Sequence, residues 1–206
     1  MAIRVLLLDI ETAPNLVAVY QLKQRYINPR YIMSHGYVLC FSAKWLGESG
    51  MYFAKSPDGH LDMLKLIHQL LSEAGAVVHY NGKKFDIPTL NAEFLLHGLP
   101  PIEGMVQIDL YTLVRRTFNF PSYKMDYVCG RLGIGTKVSH GGWNMWKECM
   151  DARHKSHDRS WETMERYNKG DVILLGRLYK KVRPWFGSTY GFKRVDEYLR
   201  GKRDKP

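Results

Sequence analysis

The strongest constraint on how this chain can fold is an apolar run near its N-terminus that closes on acids, Ile3-Arg4-Val5-Leu6-Leu7-Leu8-Asp9-Ile10-Glu11-Thr12. Short, apolar and partly β-branched, it reads as a buried strand. On a strand, residues i and i+2 point to the same face, so Asp9 and Glu11 project together from what should be core. Two desolvated carboxylates side by side repel, and the arrangement holds only if one takes up a proton or a divalent cation neutralises them. A strand end emerging into water would instead leave both acids merely solvated. The chain therefore either ends a core strand at its surface or builds a metal site into its sheet.

The 206 residues suit one domain with a substantial core, and a hydrophobic share of 45% marks it as globular rather than disordered. No apolar run approaches the roughly 18 residues that a membrane span requires, and the early run ends in acids, unlike a secretory leader. Cys40, Cys129 and Cys149 show no short-range pairing pattern, which suits free thiols in a reducing compartment. We expect a cytoplasmic protein with no membrane partner. A formal charge of +10 makes polyanions the natural partners, nucleic acid first among them, although a basic and soluble surface also accounts for it.

Residues 36–45 and 51–55 are β-favouring runs around a Gly-rich turn, and with residues 3–9 they predict a three-stranded antiparallel start. An amphipathic helix follows over 61–74, then a strand at 77–80, a helix over 86–97 ending at Gly98, a strand at 106–110, and helices over 111–118 and 125–132. Strands followed by strand-helix alternation indicate an α/β layer fold with a mixed sheet. Residues 133–158, rich in glycine, lysine, histidine and tryptophan, show no sustained period and read as a partly irregular excursion. A helical pattern resumes at Trp161 with a break expected near Gly170, and 191–206 read as a basic tail beyond a domain spanning 1–190.

Two further acids stand where ligands belong. Asp86, in Asn81-Gly82-Lys83-Lys84-Phe85-Asp86, opens a helix directly after a strand; sites collect at strand ends in open α/β sheets, yet an Asp there can also be only an N-cap. Asp171, in Tyr167-Asn168-Lys169-Gly170-Asp171, interrupts an apolar stripe and shares a helix face with Tyr167. A charge on a buried face is rare unless paired or metal-bound, although an acid on the helix surface would carry no such meaning.

In order and context these segments resemble the DEDD, or DnaQ-like, 3′-to-5′ exonuclease superfamily in its tyrosine subtype. Asp9-x-Glu11 is similar to the first motif, Asn81-x-x-x-Phe85-Asp86 to the second and Tyr167-x-x-x-Asp171 to the third. The resemblance implies a ribonuclease H-like three-layer fold, a mixed central sheet flanked by helices. It also implies a stand-alone, phage-like exonuclease that releases 5′-mononucleotides from single-stranded DNA, with a replication polymerase as candidate partner. By the same resemblance, two Mg²⁺ or Mn²⁺ ions would be held by Asp9, Glu11, Asp86 and Asp171, with Asp9 bridging, and Tyr167 would orient the attacking water. The backbone around Thr12 and the side chain of Asn81 would contact the terminal nucleotide, with Lys83 and Lys84 on the strand, although Asn81 also suits a simple turn role. Asp109 would be structural.

An exoribonuclease using the same acids and a non-catalytic nucleic-acid-binding module are the competing expectations. Lys83, Lys84, Lys137 and Lys147, interleaved with Trp143 and Trp146, suit a strand-binding groove as well as a solvated lysine face. Cys149, His154 and His157 have only loose zinc-ligand spacing.

Overall fold

A computed structural model describes residues 4–186; the basic tail expected at 191–206 lies outside the described residues. The chain opens with β1 (Val5–Thr12), a small two-stranded sheet of β2 (Leu16–Val17) and β3 (Ile32–Ser34), then β4 (Val38–Trp45) and β5 (Tyr52–Lys55). Helix α1 (His60–Glu73) leads to β6 (Ala76–His79), α2 (Asp86–Leu96), β7 (Val106–Asp109), α3 (Leu110–Thr117) and α4 (Met125–Arg131). Helices α5 (Trp143–Met150) and α6 (His157–Val182) follow. The main sheet has the order β5-β4-β1-β6-β7, antiparallel among β5, β4 and β1 and parallel from β1 to β7. It is the mixed sheet expected from the pattern of strands and helices.

Side-chain alternation along β1 divides the core. Leu6, Leu8 and Ile10 pack with Ile67 and Leu71 of α1 and Leu90 of α2. Val5 and Leu7 face the other way, onto Val172, Leu175 and Leu178 of α6. Each such side chain taken from water contributes about 1.5–3 kcal/mol before chain entropy is charged against it. Helices therefore cover both faces of the sheet, and β1, buried on each side, is leucine-rich throughout its first half.

Two expectations require correction. The excursion at 133–158, expected to be partly irregular, carries α5 and the first two residues of α6, so the last long helix begins before Trp161. The α6 start was obscured by its polar first turn, His157-Asp158-Arg159, which precedes the apolar stripe that begins at Trp161. Nor does α6 break at Gly170: the helix runs unbroken from His157 to Val182. A Cβ at Gly170 would stand 2.8 Å from Val138 Cγ2, so this glycine serves close approach of the excursion to the helix. Gly176 does the same for β1, where an added Cβ would meet Leu7 Cδ1 at 2.8 Å. The segment between β1 and β4 holds no Asp or Glu, and it exposes Tyr20, Leu22, Tyr26 and Met33.

Candidate active site

Strand β6 pairs with β1 only at Val5, Leu6 and Leu7, so beyond Leu7 one edge of β1 lacks a neighbouring strand. Asp86, the first residue of α2, fills the gap: its Oδ1 accepts from the Ile10 N–H at 3.3 Å. On the other edge β4 continues, with Asp9 opposite Ser42 and Glu11 opposite Cys40. Asp9 and Glu11 share the alternation of Val5 and Leu7 and so face α6. The close approach at Gly176 draws that helix onto the strand, and Asn168 Nδ2 donates to Asp9 Oδ2 at 2.7 Å. One turn on, Asp171 is 1% exposed. Ligand oxygens of Asp9, Glu11 and Asp171 lie within 4.8 Å of one another. Asp86 stands outside that trio, yet its charge raises the pKa of both Asp9 and Glu11.

The cluster is electrostatically loaded. Burial, then Glu11, Asp86 and Asp171, pushes Asp9 well above the usual carboxylate range. Burial and the charge of Asp171 raise Glu11 to about 8. Asp86 is raised by burial to about 6, against hydrogen bonds from backbone N–H groups including that of Ile10. Burial also raises Asp171, opposed by Lys137. The Lys137 ammonium contacts Asp171 Oδ2 directly and donates to the Tyr167 hydroxyl at 3.2 Å. Burial would lower the pKa of Lys137, but Asp171 outweighs it and the ammonium is held above its usual value.

Asp171 Oδ1 is buried without a hydrogen-bond partner. An all-oxygen donor set, mutually repelling carboxyls and an orphaned buried oxygen fit a hard divalent cation of the Mg²⁺ or Mn²⁺ type. Tyr167 packs its ring against His140, centroids 4.5 Å apart, and edge-on to Trp146 at 6.1 Å. Burial and the neighbouring Asp171 and Glu11 raise its phenol further, so it is neutral at physiological pH.

An open cleft of about 890 Å³ runs past Asp9 and Tyr167, lined also by Asn81, Lys84, Lys137 and His140. Asn81 adopts a left-handed backbone, φ 67°, and its N–H donates to Asp109 Oδ1 at 2.9 Å. The Lys83 N–H donates to Asp109 Oδ2, and the Thr112 N–H to Oδ1. Asp109 thus ties the loop before Asp86 to the start of α3, as a structural residue. The Lys83 side chain is exposed outside the cleft lining, whereas Lys84 lines it. Thr12 ends β1 at a register shift opposite Val38, half-buried beside Glu11.

Asn168 was missed in the sequence; its signal is a polar residue beside Tyr167 and three before Asp171. Lys137, expected on a groove or a solvated face, lines the cleft and also sits on Asp171. Cys149, His154 and His157 form no metal-ligand group among the described residues. Burial pushes the Cys149 thiol up to about 12, and His157 Nδ1 bonds to the Glu148 carbonyl.

A five-stranded mixed sheet between helices, with carboxylates gathered on its central strand, defines an RNase H-like nuclease fold. The chain belongs to the RNase_H superfamily, whose family model matches residues 30–183. The fold is similar to that of the family B DNA polymerase from the hyperthermophilic archaeon Pyrobaculum calidifontis, with a TM-score of 0.63 and 19% identity over 90% of this chain. The match spans 25% of the polymerase chain. No curated protein matches by sequence.

Proposed function

We propose that the protein is a 3′-to-5′ exonuclease of the DEDD tyrosine subtype that removes mononucleotides from single-stranded DNA. The observation that carries this reading is the convergence of Asp9, Glu11 and Asp171 within ligand reach, with an orphaned oxygen on Asp171. Asp86, fixed on the edge of β1, completes the carboxylate set. Two divalent cations held by these four residues would supply positive charge at the scissile phosphate and activate the attacking water. Asn168 fixes the Asp9 carboxylate. Tyr167, kept neutral, positions water by hydrogen bonding and does not take its proton. Lys137 partly balances the acids and, with Lys84, gives the cleft its attraction for phosphate. DNA is the polymer proposed because the similar solved structure is that of a DNA polymerase.

The test is digestion of 5′-labelled single-stranded DNA and RNA of one sequence with Mg²⁺ or Mn²⁺, by the native chain and by Asp9→Asn and Asp171→Asn. We expect a ladder of DNA shortening from the 3′ end, abolished by EDTA and in both variants. Internal cleavage would refute the exonuclease reading, and faster loss of RNA would refute the choice of polymer. Binding without cleavage under either metal would leave a nucleic-acid-binding module.

A further inference from the structure

On the other side of β4 from the acids, a second group of ligating side chains converges. His60 opens α1, Glu93 lies on α2, and His97 follows one turn later, just past the end of that helix. Glu93 Oε2 lies 3.1 Å from His60 Nε2 and 3.6 Å from His97 Nε2. The three ligand atoms are mutually within 4.8 Å. The other carboxylate oxygen, Oε1, accepts from the Val38 N–H at 2.9 Å. Glu93 is 6% exposed, and among the described residues its ionic contacts are the two imidazoles alone.

We propose that His60, Glu93 and His97 form a zinc site, separate from the acidic cluster, with its fourth coordination position open to water or a small anion. Bonds of about 2.0–2.2 Å in tetrahedral arrangement place ligand atoms roughly 3.3–3.5 Å apart, and the observed 3.1 and 3.6 Å bracket that separation. A hydrogen-bonded triad accounts for the shorter contact but not the longer, since 3.6 Å exceeds a hydrogen bond. Two imidazoles and one carboxylate form the nitrogen-rich, borderline donor set that selects zinc over magnesium. The Val38 N–H supplies the outer support that orients a ligating carboxylate. The Tyr37 ring packs edge-on against His60, with centroids 5.6 Å apart. All three ligands line a cavity of about 530 Å³, which gives the ion an entry path and an open position. The site would clamp the start of α1 and the end of α2 to β4, which pairs with the strand carrying Asp9 and Glu11.

The full chain carrying Asp9→Asn and Asp171→Asn, which disables the acidic site, is stripped with chelator and titrated with Co²⁺ and then Zn²⁺. This background separates failure of the zinc site from failure of the exonuclease reading. We expect one equivalent of Co²⁺ to give the intense visible absorption of tetrahedral coordination and Zn²⁺ to displace it. Adding His97→Ala, a change at an exposed residue, with retention of the fold to be checked by circular dichroism, should weaken Zn²⁺ binding at least tenfold. Adding Glu93→Gln should do the same. In the otherwise native chain, His97→Ala should leave Mg²⁺-dependent nuclease activity unchanged. Absence of the Co²⁺ band, or equal Zn²⁺ affinity with and without His97→Ala, would overturn the proposal.

Discussion

Without metal, the protein should lose stability as the solution becomes more alkaline. Glu11 is raised from its usual 4.5 to about 8 in the folded chain. Over that interval the folded state holds a proton that the unfolded state releases, so stability falls as pH rises. Two other buried groups set the range in which to look. His79 is lowered by burial from 6.5 to about 4, so its contribution is complete above 6.5 and is lost as pH falls through that interval. Asp86, raised to about 6, has largely released its proton by pH 6.5. Between pH 6.5 and 8, Glu11 alone removes about 2 kcal/mol. Asp9 acts in the same direction.

For a domain of this size each kcal/mol is worth about 2–4 °C, so the melting temperature in EDTA should drop by about 4–8 °C across the window. Calorimetric melts at half-unit pH steps measure it. Glu11→Gln carries no proton to lose and relieves its neighbours, so its decline should be no more than half that of the native chain. Saturating Mn²⁺, which binds the deprotonated carboxylates, should reverse the slope. A native melting temperature in EDTA that is flat or rising from pH 6.5 to 8 would refute the reasoning. So would a Glu11→Gln decline as steep as the native one.

Three other outcomes are expected. Lys137→Met should lower the melting temperature in EDTA at pH 8 by the equivalent of about 1–3 kcal/mol, because it removes the ammonium paired with the buried Asp171; an unchanged melt would show that this ammonium does not balance the acids. Gly82→Ala should cost about 1–3 kcal/mol by urea unfolding, since an added Cβ would meet His79 Cγ at 2.5 Å and Nδ1 at 2.7 Å. Tyr167→Phe keeps the ring against His140 but removes the hydroxyl that touches Lys137, so exonuclease kcat should fall about 10–100-fold with KM for the oligonucleotide little changed.

The parts legible in the sequence are those with a local cause. Alternation along β1 announced that Asp9 and Glu11 share a face, and the apolar stripe of α6 made Asp171 conspicuous. The mixed character of the sheet could also be anticipated, because a short turn joins β4 to β5 and helices alternate with the later strands, although the order of the strands could not. What stayed hidden depends on contacts between distant segments. Gly170 looks like a helix breaker when only its own helix is considered, and its reason is Val138, more than 30 positions earlier. Lys137 lies in a glycine-rich stretch without period, and nothing local says that its ammonium reaches Asp171. Glu93 reads as an ordinary helix-surface acid until β4 brings the Val38 N–H to it. Helix α5 was obscured because its eight residues are too few to establish a period against the glycines before them.

The short pairing of β6 with β1 has a consequence for how this protein could change over evolutionary time. Asp86 is at once a member of the acidic cluster and the acceptor that stands in for a missing strand at Ile10. A descendant that abandoned cleavage could replace Glu11 freely, and would gain stability by doing so. At position 86 it would be confined to side chains that still accept from that N–H, asparagine above all. An inactive lineage should therefore lose its first-strand acids while retaining an oxygen at the head of α2.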